Sequence, residues 1–218
     1  MGASVILDLI GSTLIGSMLL LLLINMNANG TEKLYTFSGD YRIQLNLVGF
    51  VDLLESDFKR MGYCEDERLV AGSSSIAILN ATTNSITFRT DLPANSLSIR
   101  GDGVFDNVTY STGSTTDADV ASTPNPRDVP FIRSVNGTPT SQSFGLTTLS
   151  FTYYDVNGNN LSSPVTNLNN INRIQIDVVV EDPYGYDVGS NQSFSKTFWQ
   201  QMRLSAKNIS RRGVMTIP

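Results

Sequence analysis

An apolar run of membrane length, Ala3–Ile24, begins almost at the first residue and holds a single charged group, Asp8. Its 22 or so residues span roughly 33 Å at the α-helical rise, enough to cross a hydrocarbon core. A carboxylate inside such a segment is costly in lipid and calls for a partner. The amino-terminal segment is therefore where function is to be sought, and almost every other polar residue follows it.

The run does not have the layout of a secretory signal, which carries a basic region ahead of a shorter apolar stretch. No Lys or Arg precedes it, and the first basic residue is Lys33. A retained anchor is expected; under the alternative of cleavage, Ala28 and Gly30 supply the small residues. Gly11, Ser12, Gly16 and Ser17 form small pairs about one helical turn apart, the kind that lets helices approach closely in lipid. A plain single-pass anchor also tolerates them.

Asn25–Gly30 (NMNANG) is polar and ends in glycine, so the helix is expected to end, fray or bend there. A second helical pattern follows from about Asp40 to Met61. Ile43, Leu47, Phe50/Val51, Leu54, Phe58 and Met61 recur at steps of three and four, with Asp52, Glu55, Asp57, Lys59 and Arg60 filling the other face. Gly62 is the expected stop. This half should pack its apolar stripe against a globular partner.

After Tyr63 the texture changes to short apolar or alternating runs between turns. Ser75–Leu79, Ser85–Arg89, Ser96–Arg100, Leu146–Tyr154 and Ile171–Glu181 are expected strands, the last with Ile174, Ile176, Val178 and Val180 on one face. Asp155–Asn160 holds an Asn-Gly turn. Ser193–Ile209 should give a final strand or pair, carrying Phe194, Phe198, Met202 and Leu204. Gly101–Ser143 is rich in Asp, Thr, Ser, Pro and Gly and reads as a long loop, with at most an edge strand near Val129–Val135. The expected organisation is an apolar helix over 1–29, an amphipathic helix over 30–62, and a β-rich domain over 63–218. The fold class is α+β, with the helix followed by an antiparallel sheet.

Composition narrows the chemistry. The 218 residues carry a net charge of −5, so no nucleic-acid footprint is visible. There is no histidine, which removes the commonest general base and the commonest metal ligand. One cysteine, Cys64, excludes an intrachain disulfide framework and reads as a buried small hydrophobe. Asp155, Asn157 and Asn159 have part of the spacing of a calcium loop, but no bidentate Glu follows, and a hairpin turn accounts for them better. Glu65, Asp66 and Glu67 could attract a cation but read better as a solvated connection. Sequons occur at Asn80, Asn107, Asn136, Asn160 and Asn208. No nucleophile–base pair, phosphate loop or metal-ligand spacing is present, so the expectation is a non-enzyme without metal or cofactor.

An apolar helix with one acid near its start, an amphipathic continuation and an antiparallel β domain together resemble the type IV pilin family. The likeness is to its minor pilins and to the J-type pseudopilins of type II secretion. Ser4-Val5-Ile6-Leu7-Asp8 fits the family's mature start, with Asp8 in the place of the acid and Ala3 just before the cut; Gly2 is the alternative cut. Leu54–Tyr63 resembles the helix end of minor pilins. Ser85–Arg89 and Leu149–Asp155 resemble their sheet, and Arg203–Asn208 their last strand. The resemblance implies a structural subunit that waits in the bacterial inner membrane and joins a cell-surface filament. Its partners would be copies of itself or other pilin-like subunits. Asp8 would pair with the amino terminus of a neighbour, and Gly11 and Gly16 would be further assembly positions, where small residues allow close approach. Gly2, Ala3 and Ser4 would be the processing positions. The competing expectation is a membrane-tethered β domain that binds a ligand and does not polymerise; a third is a secreted envelope protein from which the apolar run is removed.

Overall fold

The structure is a computed structural model, and it describes residues 2–66, 77–93, 100–188, 191–194 and 197–204. The fold is α+β: one long amino-terminal helix followed by antiparallel sheet. The chain divides into two compact units, Met1–Tyr41 and Arg42–Pro218.

Helix α1 runs unbroken from Gly2 to Lys59, 58 residues. The break expected at Asn25–Gly30 is absent. Gly30 keeps a helical backbone, since it is not among the glycines with positive φ. A single Gly inside a helix costs only about 1 kcal/mol against Ala, and propagation from helical turns on both sides outweighs it. Thr31 Oγ1 also donates to Asn27 O (2.9 Å), tying its hydroxyl to the helix backbone. The helix stops at the expected place. Gly62 adopts φ 72°, and its N–H donates to Arg89 O (2.7 Å), turning the chain towards the sheet.

In the second unit the amphipathic stripe is the core face of the helix. Ile43, Phe50, Leu54, Phe58 and Met61 are buried, with Leu47, Val51 and Leu53 packed beside them. Eleven strands follow among the described residues. Strands β1 (Ile78–Ala81), β2 (Ser85–Thr90), β3 (Asp106–Thr112), β4 (Phe131–Val135) and β5 (Thr138–Gln142) form one sheet in that order. A second sheet has the order β11-β8-β6-β7, from Thr197–Leu204, Arg173–Glu181, Leu146–Tyr154 and Asn160–Leu161. Strands β9 (Tyr186–Val188) and β10 (Asn191–Ser193) make a separate pair. All pairings are antiparallel.

Alternation dictates what each strand buries. Ile86, Phe88 and Thr90 turn inward from β2; Leu149, Phe151 and Tyr153 from β6; Ile174, Ile176, Val178 and Val180 from β8. Phe58 joins the two sheets, its ring centroid 5.0 Å from Phe88, 5.7 Å from Tyr110 and 6.5 Å from Phe151. Phe50 meets Phe131 edge-on at 4.8 Å. The sheets are also stitched by Phe151 N–H to Thr83 O (2.8 Å) and Tyr153 OH to Thr82 O (2.8 Å).

The long loop expected over Gly101–Ser143 is a correction. The segment contains β3, β4 and β5, which are three of the five strands of the first sheet. In β3 only Val108 and Tyr110 are buried, and Asn107, Thr109 and Ser111 take the alternate positions, where Thr109 meets Thr87 across the ladder (3.0 Å). β4 is an interior strand rather than an edge. It turns into β5 through Asn136-Gly137, both with positive φ (51° and 84°), the requirement of a tight two-residue hairpin. β5 is the true edge: all five residues are exposed, and Pro139 sits where an edge tolerates it. Of the remaining expected strands, Ser96–Ile99, Ser75–Ile76 and the stretch beyond Leu204 lie outside the described residues.

Candidate assembly helix and buried anchors

In the first unit the helix has nothing packed over its apolar side chains. Leu7 is 72% exposed, and every large hydrophobic side chain from Val5 to Ile24 is exposed. This is one helix long and apolar enough, by length and composition, to cross a membrane. Its hydroxyls are already satisfied by the helix. Ser12 donates to Asp8 O, Thr13 to Ile10 O (2.9 Å) and Ser17 to Leu14 O (3.0 Å). Back-bonding of this kind lets Ser and Thr sit in lipid without an open donor. The Asp8 carboxylate differs: no described side chain pairs with it, and its residue is exposed.

Gly2, Ala3, Ser4, Gly11 and Gly16 all lie on this helix. A Cβ added at Gly2, Gly11 or Gly16 would meet nothing within 4 Å, so their smallness serves nothing inside a single chain. Helical geometry separates them in azimuth. At about 100° per residue, Gly11 lies about 60° to one side of Asp8 and Gly16 about 80° to the other. The three span an arc of about 140° on the helix.

Among the described residues the second unit holds four buried carboxyls, Asp57, Asp91, Asp128 and Glu181, the last paired with Arg127 Nη2 (2.5 Å). Asp57 was expected on the solvent face and is instead buried: one step from Phe58, it falls on the margin of the core stripe. Its Oδ2 accepts from Arg133 Nε (2.8 Å) and from the Tyr110 hydroxyl, fastening the helix end to β3 and β4. Burial, then the Asp57 charge, pushes Tyr110 far above the usual phenol range, so it remains the donor. Burial pulls Arg133 down, and the bond and charge of Asp57 more than restore it.

Asp91 is fully buried and accepts three backbone N–H groups. Asp102 N–H reaches Oδ1 (2.7 Å); Glu65 N–H (2.8 Å) and Gly103 N–H (3.0 Å) reach Oδ2. It closes the connection after the helix against the chain that leads into β3. Beside it Cys64 is buried, its thiol pushed up by burial. Of the acidic cluster, Glu65 accepts from Tyr63 OH and Arg100 (3.5 Å), and Glu67 lies outside the described residues. Asp128 is buried with no hydrogen-bond partner at either carboxyl oxygen. Burial raises its pKa; the neighbouring Thr123 hydroxyl offsets part of that, and the Glu181 and Asp182 charges add to the rise. Thr123 stands beside it but donates to Val120 O (2.7 Å).

Asp155 is engaged within its own turn by Asn157 N–H (2.8 Å), Asn159 N–H (2.8 Å) and Asn159 Nδ2 (2.9 Å). Those bonds hold its pKa below the usual carboxylate range. Among the described residues no group of three or more Asp, Glu or Cys side chains is arranged to hold a metal ion. The sequon residues Asn80, Asn107, Asn136 and Asn160 are exposed, and Asn208 lies outside the described residues. Sequence reasoning missed Asp91, Asp128 and the Asp57 anchor. Only Asp57 carried a signal, through its place one residue from the core stripe. No protein-family model matches the chain, and a search of curated proteins finds no match.

Proposed function

We propose that this chain is a structural subunit of a type IV pilus-like or pseudopilus filament. It waits in the bacterial inner membrane by its amino-terminal helix and assembles through that helix into a cell-surface polymer. One observation carries the reading: an uncovered apolar helix whose only charged group before Glu32, the Asp8 carboxylate, has no described side-chain partner. In lipid that charge costs about 2.5–3.5 kcal/mol on insertion scales. A neighbouring subunit that offers its amino terminus removes the cost and sets axial register, as buried polar groups do in coiled coils. The β domain contributes surface rather than catalysis, and the reading assigns it no cofactor and no nucleic acid.

The test is recovery of the protein in filaments sheared from cells, with the mature amino terminus determined by mass spectrometry. Incorporation that is lost in Asp8→Ala while the β domain stays folded supports the reading. Asp8→Ala that assembles normally, or a wild-type protein that remains monomeric in membranes, overturns it in favour of a tethered binding module.

A further inference from the structure

Asn-Gly occurs three times in the chain, at Asn29-Gly30, Asn136-Gly137 and Asn157-Gly158. Each pair sets a side-chain amide carbon next to a backbone nitrogen that has no Cβ to shield it. That nitrogen can attack the amide carbon, a step that proximity makes unimolecular. Whether it does so depends on how firmly the fold holds the amide and the nitrogen, and there the three sites differ.

Asn29 lies inside α1, where the helical ladder engages Gly30 N–H. Asn136 sits in the β4–β5 hairpin with its amide held at both ends. Its Oδ1 accepts from Asn107 N–H (2.9 Å), and its Nδ2 donates to Asp106 Oδ1 (2.7 Å). Asn157 sits in the exposed turn between β6 and β7. Its side-chain amide makes no hydrogen bond with any described group; only its backbone N–H is engaged, by Asp155 Oδ1 (2.8 Å). Val156 beside it is 77% exposed, so no described residue covers the turn. Gly158 N–H is restrained by one bond, to Asp155 O (3.1 Å). Opening a single bond at an exposed turn is among the least costly local motions. The neighbouring Asn159 differs again, since its Nδ2 donates to Asp155 Oδ2 (2.9 Å) and Asn160 rather than glycine follows it.

We infer that Asn157 is a site of self-modification, at which the folded protein exchanges an amide for a carboxylate while Asn29 and Asn136 are spared. The bond from Gly158 N to Asn157 Cγ forms as the Cγ–Nδ2 bond breaks, and ammonia leaves with the proton that Gly158 N gives up. Water then opens the cyclic imide at either carbonyl, to aspartate or to isoaspartate. Water is the only co-reactant.

Isoaspartate carries the chain through the former side chain and lengthens the turn by one methylene. In the unmodified turn Asp155 Oδ1 accepts both Asn157 N–H and Asn159 N–H (2.8 Å each), a fit to the shorter path. A new carboxylate close to Asp155 adds like-charge repulsion. The element that depends on this turn is β7, whose two residues pair with β6 as Leu161 with Tyr153 and Asn160 with Tyr154. Modification therefore loosens β7, the edge of the second sheet, and leaves the β6–β8 ladder intact.

Ageing the full chain in mild detergent at mildly alkaline pH, followed by peptide mass spectrometry, tests this. Fragment ions place the mass gain of amide-to-acid exchange at position 29, 136 or 157. Asn157 should convert about tenfold or more faster than Asn136, because freeing the Asn136 amide also breaks a bond to a charged acceptor. In the urea-unfolded β domain the two rates should converge. Hydrogen exchange in β7 should quicken as Asn157 converts. Asn157→Gln, whose longer side chain closes the ring poorly, should keep that exchange unchanged on the same schedule. No conversion at 157, equal folded-state rates at 157 and 136, or a gap that survives unfolding overturns the inference. Conversion at 157 without faster exchange in β7 overturns the consequence for the sheet edge.

Discussion

Replacing Arg133 by Met should be among the most damaging single changes in the β unit, although Arg133 is no core residue by type. The Asp57 carboxylate that it serves is only 7% exposed and receives Arg133 Nε and the Tyr110 hydroxyl on the same oxygen. Met keeps the length and apolar stem of Arg but removes the charge, leaving a buried carboxylate with one neutral donor. Breaking one side of a buried pair costs about 3–5 kcal/mol. Tyr110→Phe removes only a hydroxyl. The ring would keep its stacking on Phe58 (5.7 Å) and Phe131 (5.2 Å), so the loss should be that of one hydrogen bond to a charged group, about 1.5–3 kcal/mol. Because the two donors share one oxygen, the double variant should show a coupling of about 0.5–3 kcal/mol rather than simple addition. The assay is urea unfolding of the full chain in mild detergent, followed by near-ultraviolet circular dichroism. If Arg133→Met lowers stability by less than about 1 kcal/mol, the pair behaves as an exposed one and the anchoring argument fails.

Other outcomes follow from the remaining buried acids. Asp128→Asn should stabilise the protein near neutral pH by roughly 1–3 kcal/mol, because it replaces an unpartnered carboxyl with a neutral amide. Asp128 has a raised folded pKa, so its contribution is fullest below the ordinary carboxylate value and is lost as pH rises through the folded value. Melting temperature against pH should therefore fall across that window in wild type and flatten in the variant; parallel curves would refute the assignment. Asp91→Ala should cost about 1–3 kcal/mol, since three part-buried backbone N–H groups lose their acceptor but two of them can turn to water. Gly101→Ala should also destabilise, because its Cβ would fall 2.1 Å from the Asp91 carboxyl. Unchanged unfolding midpoints in both would remove the clamp.

What was legible in the sequence was whatever large apolar residues wrote in a clean period. The stripe Ile43–Met61 and the alternation of β6 and β8 each place several bulky side chains on one face, and the structure buries them as read. β3 and β5 were not legible because their ladders are built on Thr, Ser and Asn. β3 contributes two inward apolar residues and β5 none. Asn25–Gly30 misled for the opposite reason: its local propensities favour a stop, while helix propagation from both sides acts over a longer range. Asp57 and Asp91 escaped because each is held by groups distant in sequence. Asp57 needs Arg133, and Asp91 needs Asp102 and Gly103. Periodicity shows where a chain hides apolar surface and is silent on which polar groups it hides with it.

A competition between two co-expressed copies, wild type and Asp8→Leu, separately tagged and quantified in filaments sheared from cells, puts the most direct question to the amino-terminal carboxylate. Leu lies in lipid and in a helix bundle at equal ease, so the variant loses the 2.5–3.5 kcal/mol or so that docking returns to Asp8, about a hundredfold in incorporation. Wild type should dominate the sheared fraction by that order while both copies stand at equal levels in the membrane. Equal recovery of the two in the filament would mean that the charge gains nothing from a neighbour.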